Sequence, residues 1–285
     1  MTPLIVLLLQ VGPMPTTEPI SPIPEELHEQ RERTRARQNA YVEVLPATKS
    51  RLAQCLARTR QDPGGAASEA EAWLAAASGE ERGDAAQCLG VAQAQLGQQS
   101  EAAETFLLAR DSTPAADHRA RALRGGLAGG ALLTQGDPAG ALALLDAART
   151  DTQAAAGEAT AGQDAIRGQI AIDRAIALVA LDRLDEAGAA LDTARTALPD
   201  NAQAWLLSAT LSRRLGKLEE AQARIERAAI LAPLDSAIGL EAGVIAAMAG
   251  RDDAARKSWR SVIDAEPGSE AAATAQAYLD QLDTP

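Results

Sequence analysis

This chain has 285 residues and a net charge of −12, and its hydrophobic share of 46% is large enough for a folded core, which excludes wholesale disorder. The acidic balance argues against a general nucleic-acid binder, because that class of protein needs a cationic surface to displace phosphate counterions. With 66 alanines and only 2% aromatic residues, the composition favours helices over a sheet.

The N-terminal segment contains a short apolar run, Leu-Ile-Val-Leu-Leu-Leu at residues 4–9. About ten apolar residues cannot cross a bilayer, which needs roughly 20, but they suit the hydrophobic part of a signal peptide. We therefore expect a candidate signal peptide over 1–12 and export to the periplasm. A cytoplasmic location is the alternative, since the run lacks a preceding Lys or Arg and a small-residue cleavage site.

A proline-rich linker and a charged helix are predicted over 13–46. Prolines recur between residues 13 and 24, and their fixed φ angles make this stretch extended and unable to continue a helix. From Glu25 to Arg37 the chain interleaves Glu and Arg with little apolar surface, which predicts a solvated helix.

The two cysteines, Cys55 and Cys88, lie in near-copies of one another, Ala-Gln-Cys-Leu. If the protein is exported, a disulfide between them is a candidate. Geometry argues the other way, because equivalent positions of stacked repeats point in the same direction, whereas a disulfide needs facing Cβ atoms. The alternative is two small buried thiols. Together with the two histidines, the cysteines do not make a zinc-binding spacing.

An internal repeat with a period of 34 residues occupies most of 47–285. Aligning Gly216 with Gly250 defines it, and each copy holds two helical patterns joined by a tight turn. The copies cover 50–82 (degenerate), 83–116, 122–155, 168–201, 202–235 and 236–269.

Small and large residues recur at fixed positions of the five full copies, numbered from 1. Position 8 holds Gly90, Gly129, Ala175, Ala209 and Gly243. Position 20 holds Ala102, Ala141, Ala187, Ala221 and Ala255. Position 24 holds Phe106, Leu145, Leu191, Ile225 and Trp259. We expect positions 8 and 20 to face each other so that the two backbones approach closely, and the large residue at 24 to fill the space toward the neighbouring repeat.

The ends of the helices are marked by two further positions. Position 15 ends the first helix with a residue that tolerates left-handed backbone: Gly97, Gly136, Gly216 and Gly250, with Asp182 in the remaining copy. Position 32 holds a proline that stops the second helix in four of the five copies: Pro114, Pro199, Pro233 and Pro267. One helix pair cannot bury its apolar face, so stacking must supply the stability.

This pattern resembles the tetratricopeptide repeat (TPR) family over about 50–283. The resemblance lies at positions 8, 20, 24 and 32 and at Trp205 in position 4. It also lies at position 27, which holds Ala109, Ala148, Ala194, Ala228 and Val262. The chain departs from the family at position 7, where only Leu89 agrees, and at position 11, where Leu132 and Leu178 replace the usual Tyr. More narrowly, the layout resembles uncharacterised bacterial TPR proteins with an N-terminal leader. The resemblance implies an all-α fold, a right-handed α-solenoid of helix-turn-helix repeats.

Two insertions and a terminal segment complete the array. Residues 117–121 and 156–167 separate copies, and neither insertion contains proline. We expect the second to lengthen the first helix of the 168–201 repeat. Residues 270–283 carry apolar side chains at helical spacing and are predicted to form a C-terminal capping helix.

No chemistry of catalysis is apparent in the sequence. The glycine cluster at 125–130 lacks the preceding strand and the Lys-Ser/Thr of a phosphate loop. No acid/base pair, nucleophile elbow, metal site or cofactor cradle is recognisable. We therefore expect a protein that is not an enzyme and needs no cofactor.

In the TPR family the concave face is built from positions 2, 5, 9, 12 and 13 of each first helix. Carried over, the 122–155 repeat contributes Leu123, Gly126, Gly130 and Leu133. The candidate partner-binding residues of the later repeats are Ile172, Ile176, Val179, Leu206, Thr210, Arg213, Arg214, Val244 and Met248. The Lys and Asn of TPR domains that hold a carboxylate terminus are absent, so this mode is disfavoured, and the apolar face suits a helix or an extended apolar segment.

We expect a protein–protein interaction scaffold that binds an unidentified protein or peptide through this groove, with Arg213 and Arg214 pairing an acidic group of the partner. The alternative is a self-associating structural protein of the cell envelope, a homo-oligomer that uses the same surface. These candidate residues could also be buried against neighbouring helices or covered by residues 25–43 of the same chain.

Overall fold

The computed structural model describes residues 50–155 and 161–283, and within them it contains thirteen α-helices and no β-strand. The predicted signal peptide (1–12) and the predicted linker and charged helix (13–46) lie outside the described residues. The all-α prediction is confirmed for the part of the chain that the structure describes.

The helices fall into two compact units, residues 51–233 and residues 234–283. The first unit contains α1 (Arg51–Thr59), α2 (Pro63–Ala76), α3 (Gly79–Gln95), α4 (Gln99–Asp111), α5 (His118–Gln135), α6 (Pro138–Ala154), α7 (Ala161–Ala180), α8 (Leu184–Ala197), α9 (Ala202–Arg214) and α10 (Leu218–Leu231). The second unit contains α11 (Ser236–Met248), α12 (Asp252–Ala265) and α13 (Glu270–Leu282). None of these helices is long and apolar enough to span a membrane.

The alanine at position 20 lies in the interior of every full helix pair, as predicted. All five side chains have no solvent exposure: Ala102, Ala141, Ala187, Ala221 and Ala255. A methyl group is the largest side chain that the close approach of the two helices leaves room for, so this position fixes the spacing within a pair.

The small residue at position 8 has a different partner from the expected position 20. A Cβ atom added at Gly90 would lie 2.7 Å from the Phe106 ring, and one added at Gly243 would collide with the Trp259 indole. Position 8 therefore receives the large side chain of position 24 from its own helix pair. Phe106 also packs against Ala128 of the next pair, as predicted, so one side chain closes the pair and joins it to its neighbour.

The turn between the two helices of each pair uses left-handed backbone at position 15, as predicted. The four glycines there have φ between 69° and 86°, and Asp182 has φ 58°. Asp182 is the one non-glycine residue with positive φ among residues 50–155 and 161–283. Aspartate tolerates this conformation better than most residues do, which explains why the turn of the third full copy keeps the same path.

Both insertions lengthen first helices. α5 starts at His118, inside the first insertion, and α7 starts at Ala161 and runs for 20 residues. The predicted elongation of the first helix in the 168–201 repeat is confirmed, while residues 156–160 of that insertion lie outside the described residues.

An ion cluster connects three helices around the first insertion. The buried Asp151 carboxylate of α6 lies 3.2 Å from Arg110 of α4, 3.4 Å from His118 Nδ1 and 3.6 Å from Arg121 Nε of α5. The extra turn of α5 supplies two of these three groups, so the insertion adds contacts between pairs that a minimal repeat lacks.

A disulfide joins Cys55 of α1 to Cys88 of α3, with Cα atoms 6.1 Å apart. The expectation that the two side chains would point in the same direction is wrong. Both cysteines turn toward Trp73 of α2, in one core with Ala70 and Leu89. The nine-residue helix α1 packs against α2 and α3, and the disulfide fixes it there covalently.

In the second unit, α13 packs on α12 and α11. The Trp259 and Tyr278 rings lie 5.3 Å apart, and the Asp283 carboxylate accepts a hydrogen bond of 2.9 Å from Arg256. The helix predicted over 270–283 is therefore present, and it covers the apolar side of the α11–α12 pair.

We predict that Ala221→Leu lowers the free energy of unfolding by about 1–3 kcal/mol, because the buried position has no room for three more carbons. The matched control is Ala223→Leu, which adds the same side chain at an exposed position of α10. Urea unfolding followed by circular dichroism measures both. Equal midpoints would show that position 20 does not set the helix spacing.

We predict that replacing Cys55 and Cys88 together with Ala lowers the free energy of unfolding by about 3 kcal/mol, because the disulfide closes a loop between residues 33 apart and restricts the unfolded chain. Hydrogen exchange should show the loss of protection first in α1. A reducing agent should destabilise the wild type and leave the double variant unchanged. A wild type that is insensitive to reduction would contradict the disulfide's role.

Candidate protein-binding groove

The structure brings together four of the sequence-predicted binding residues. Ile176 and Val179 of α7 and Thr210 and Arg214 of α9 line one small cavity of about 10 Å³. The two helices therefore close on each other here, and the apolar side chains fill the space between them. Arg214 is exposed at this point, Ile176 and Val179 are half-buried, and Thr210 is buried.

Three other predicted residues of the same helices are less accessible than a groove requires. Ile172 has no exposed surface and packs against Ala194 and Ala204, so it belongs to the core and not to an open face. Arg213 is 7% exposed, and Leu206 is half-buried. The register carried over from the family makes Ile172 a concave-face position, but Ala194 of α8 and Ala204 of α9 pack against it and bury it here.

In the second unit the two predicted residues differ. Val244 is buried, which places it in the core of α11, whereas Met248 is 42% exposed at the end of that helix. The interior position of Val244 corrects its assignment to a binding face.

An open groove of about 550 Å³ lies among the first helices α3, α5 and α7. Leu123, Gly126 and Gly130 line it, as predicted for the 122–155 repeat, whereas Leu133 packs into the core instead. The remaining lining residues are Val91, Ala94, Gln95, Gln99, Phe106, Leu127, Ala131, Thr134, Ile166, Gln169, Ile170 and Asp173. The lining is mostly apolar, with polar side chains at a few points, as in sites that bind apolar ligands or peptide segments.

The glycines of α5 explain why this groove is open. A Cβ atom at Gly129 would meet Leu145, and one at Gly125 would lie 3.2 Å from Ala148. These two glycines therefore allow α5 to pack closely on α6. Gly126 and Gly130 lie on the groove side of the helix. At Gly130 an added Cβ would meet only the Asp173 carboxylate, at 3.8 Å, so the missing side chain leaves the groove empty.

Among the described residues that line the groove, Asp173 is the only titratable one. Gln169 Nε2 donates a hydrogen bond of 2.9 Å to its Oδ1 atom. Burial raises the pKa of Asp173 from 3.8 to about 6, and the hydrogen bond from Gln169 offsets only part of this effect. The groove thus contains one carboxylate whose charge is poorly solvated and has no cationic neighbour among the lining residues.

A second cavity of about 380 Å³ continues the groove, because Leu123 and Ile166 line both. Its lining is more polar and includes Glu80 and Asp117. Arg124 also lines it, but its guanidinium is committed to the protein. It donates to Gln87 Oε1 at 2.9 Å, to Thr113 Oγ1 at 2.6 Å and to the Asp84 carboxylate.

Sequence reasoning missed most of this groove. Ile166 precedes the 168–201 copy and reaches the groove only because the insertion lengthens α7. Ile170 and Asp173 occupy positions 3 and 6, which are not concave-face positions in the transferred register. The signal that could have located the groove was the unusual run of glycines in α5, where a helix keeps Gly only for a packing or binding reason.

Solved structures with a similar fold are TPR proteins. PilW, a widely conserved type IV pilus biogenesis factor, aligns with a TM-score of 0.64 and 20% identity, over 78% of this chain and 95% of PilW. PilF of Pseudomonas aeruginosa aligns at 0.62 with 16% identity, over 79% and 95%. YrrB, a TPR protein with an unusual peptide-binding site, aligns at 0.50 with 16% identity, over 68% and 91%.

The fold is that of a TPR solenoid. No family model matches the sequence, and the curated proteins contain no match. At these identities the structural likeness establishes the fold alone.

We predict that Asp173→Asn raises the free energy of unfolding by about 1–2 kcal/mol above pH 6 and has no effect near pH 4. A folded-state pKa of about 6 against 3.8 for the free side chain means that the folded protein binds more protons in this interval. The stability of the wild type therefore falls as the pH rises from about 4 to 6. The amide carries no charge and removes this loss.

Urea unfolding at a series of pH values measures the effect. Asp264→Asn, at an exposed position of α12, is the matched control and should leave the pH profile unchanged. Parallel profiles for the wild type and Asp173→Asn would show that the groove does not desolvate the carboxylate.

Proposed function

We propose that this protein is a non-enzymatic scaffold that binds a segment of another protein along the groove among α3, α5 and α7. The observation that carries the proposal is the groove itself, an open and mostly apolar space of about 550 Å³ among the first helices of three successive repeats. Apolar surface left open on a folded protein usually marks a contact site.

The shape of the site favours a polypeptide segment over a compact small molecule. The groove continues into the second cavity through Leu123 and Ile166, so the accessible surface extends along several helices. An apolar helix or an extended segment can follow such a surface and bury alternate side chains in it. The TPR protein YrrB has an unusual peptide-binding site, and PilW is a biogenesis factor; both support a role in binding or assembly.

The residues predicted on α7 and α9 extend this proposal. Arg214 is exposed at the end of α9, and Ile176, Val179 and Thr210 lie beside it. The exposed Arg214 would there offer a cation for an acidic group of the partner.

We also propose that the protein is exported. A structural disulfide persists in oxidising compartments and is rare in the cytosol, and the apolar run at residues 4–9 suits a signal peptide. Rapid alkylation of thiols in intact cells tests this proposal, since Cys55 and Cys88 should be protected until a reducing agent is added. Free thiols in freshly trapped cells would contradict it.

We predict that Gly130→Leu abolishes partner binding without loss of stability. The new side chain fills the groove, and replacing a mid-helix glycine improves helix propensity by about 1 kcal/mol. Affinity capture from the native host with wild type, Gly130→Leu and Ala143→Leu as baits measures the effect. Ala143→Leu places the same side chain on the exposed surface of α6 and is the matched control.

A protein captured by the wild type and the control, but not by Gly130→Leu, supports the groove. Capture that is equal for all three baits contradicts it. Light scattering of the same variants addresses self-association: a dimer that Gly130→Leu dissociates would favour the structural alternative.

A further inference from the structure

The Asp173 carboxylate is unusual among the charged groups of the first unit because it faces an otherwise uncharged cavity. The other fourteen lining residues carry no charge, and the residues 50–155 and 161–283 contain no Lys, Arg or His that forms an ion pair with Asp173. Its neighbour Arg174 is committed elsewhere, since it lies 2.7 Å from Asp146 of α6.

Most of the hydrogen-bonding capacity of this carboxylate is unused within the described chain. An ionised carboxylate offers about four acceptor positions, and Gln169 occupies one of them on Oδ1. The Oδ2 atom points toward α5 at Gly130, where the absence of a side chain leaves the carboxylate open to the groove. A donor on a bound segment can therefore reach Oδ2 without displacing a protein side chain.

We propose that the groove selects segments in which a Lys or Arg side chain lies between apolar side chains and pairs with Asp173. This inference rests on the proposed function and names the chemistry of the partner. The apolar neighbours of the cation contact the accessible lining side chains Leu123, Leu127 and Ile166, and the cation meets the Asp173 carboxylate.

The electrostatics of the surroundings favour the same partner. Glu80 and Asp117 line the continuation of the groove, and the guanidinium of Arg124 there is already occupied by Asp84. Arg119 is the other cation of that cavity. A basic segment is therefore attracted toward the groove, whereas an acidic segment meets the Asp173 charge inside it.

Selection from a displayed library of random linear peptides tests the proposal on the full chain at about pH 8, where Asp173 is ionised. The wild type should enrich apolar peptides that carry a Lys or Arg at a fixed place. Asp173→Asn should enrich apolar peptides without that preference, and the Asp264→Asn control should behave as the wild type does.

A double-mutant cycle on one enriched peptide then measures the pairing. Replacing its basic residue by Gln, or Asp173 by Asn, should each weaken binding by roughly tenfold or more. Making both changes together should weaken binding little more than either change alone, because each change removes the same ion pair. If the fold-losses in affinity of the two single changes multiply in the double change, the two groups do not interact and the pairing is overturned.

Other outcomes separate this inference from the proposed function. Groove-dependent peptides with no basic preference overturn the inference and leave the scaffold intact. Peptides that bind Gly130→Leu as well as they bind the wild type overturn both. Two other occupants of the groove would also overturn the partner assignment. Peptide binding that appears only after Arg31, Arg33, Arg35 and Arg37 are changed to Gln would show that the chain's own basic segment occupies the groove. A dimer that the peptide dissociates in light scattering would show that a second copy of the chain does.

Discussion

The close approach of two helices within each pair is the constraint on which the rest of the structure depends. The methyl group at position 20 and the small residue at position 8 set the distance between the two helices of a pair. The large side chain at position 24 then packs against position 8. It covers the small residue of its own pair and, as Phe106 shows, reaches the next pair as well. Burial of five alanines contributes little area, so most of the stabilisation comes from the larger side chains that this spacing brings into contact.

Small residues also create the groove, because α5 carries two pairs of glycines on two of its faces. In α5, Gly125 and Gly129 allow close packing on α6, while Gly126 and Gly130 remove side chains from the face that lines the groove. Four glycines lower the intrinsic stability of a helix. The extra turn from His118 and the ion cluster around Asp151 offset this weakness by tying α5 to α4 and α6.

The sequence predicted the interior of the helix pairs better than it predicted the candidate site. Position 20 and the left-handed turns follow from local sterics that recur in every copy, so the period was sufficient to find them. The accessible face depends on how first helices pack against one another, which the period does not contain. Ile172 and Val244 occupy groove positions in the register but are buried, and Asp173 lies in the groove from a position that the register excludes. The repeat pattern did not decide whether the disulfide forms, for a related reason. The first helix pair is irregular and turns Cys55 and Cys88 toward each other around Trp73.

Above about pH 6 the ionised Asp173 in an apolar groove destabilises the folded protein, and this gives the carboxylate its value as a recognition element. In the free protein, burial raises the pKa of Asp173 to about 6, which is the signature of an ionised state that is poorly solvated. A bound cation replaces the missing solvation of the carboxylate. Because the carboxylate is already desolvated in the free protein, binding adds little further desolvation cost. A neutral apolar segment gains the same contacts with Leu123 and Ile166 but leaves the carboxylate still more deeply buried and unpaired. Discrimination therefore comes from the penalty imposed on the wrong partner as much as from attraction to the right one.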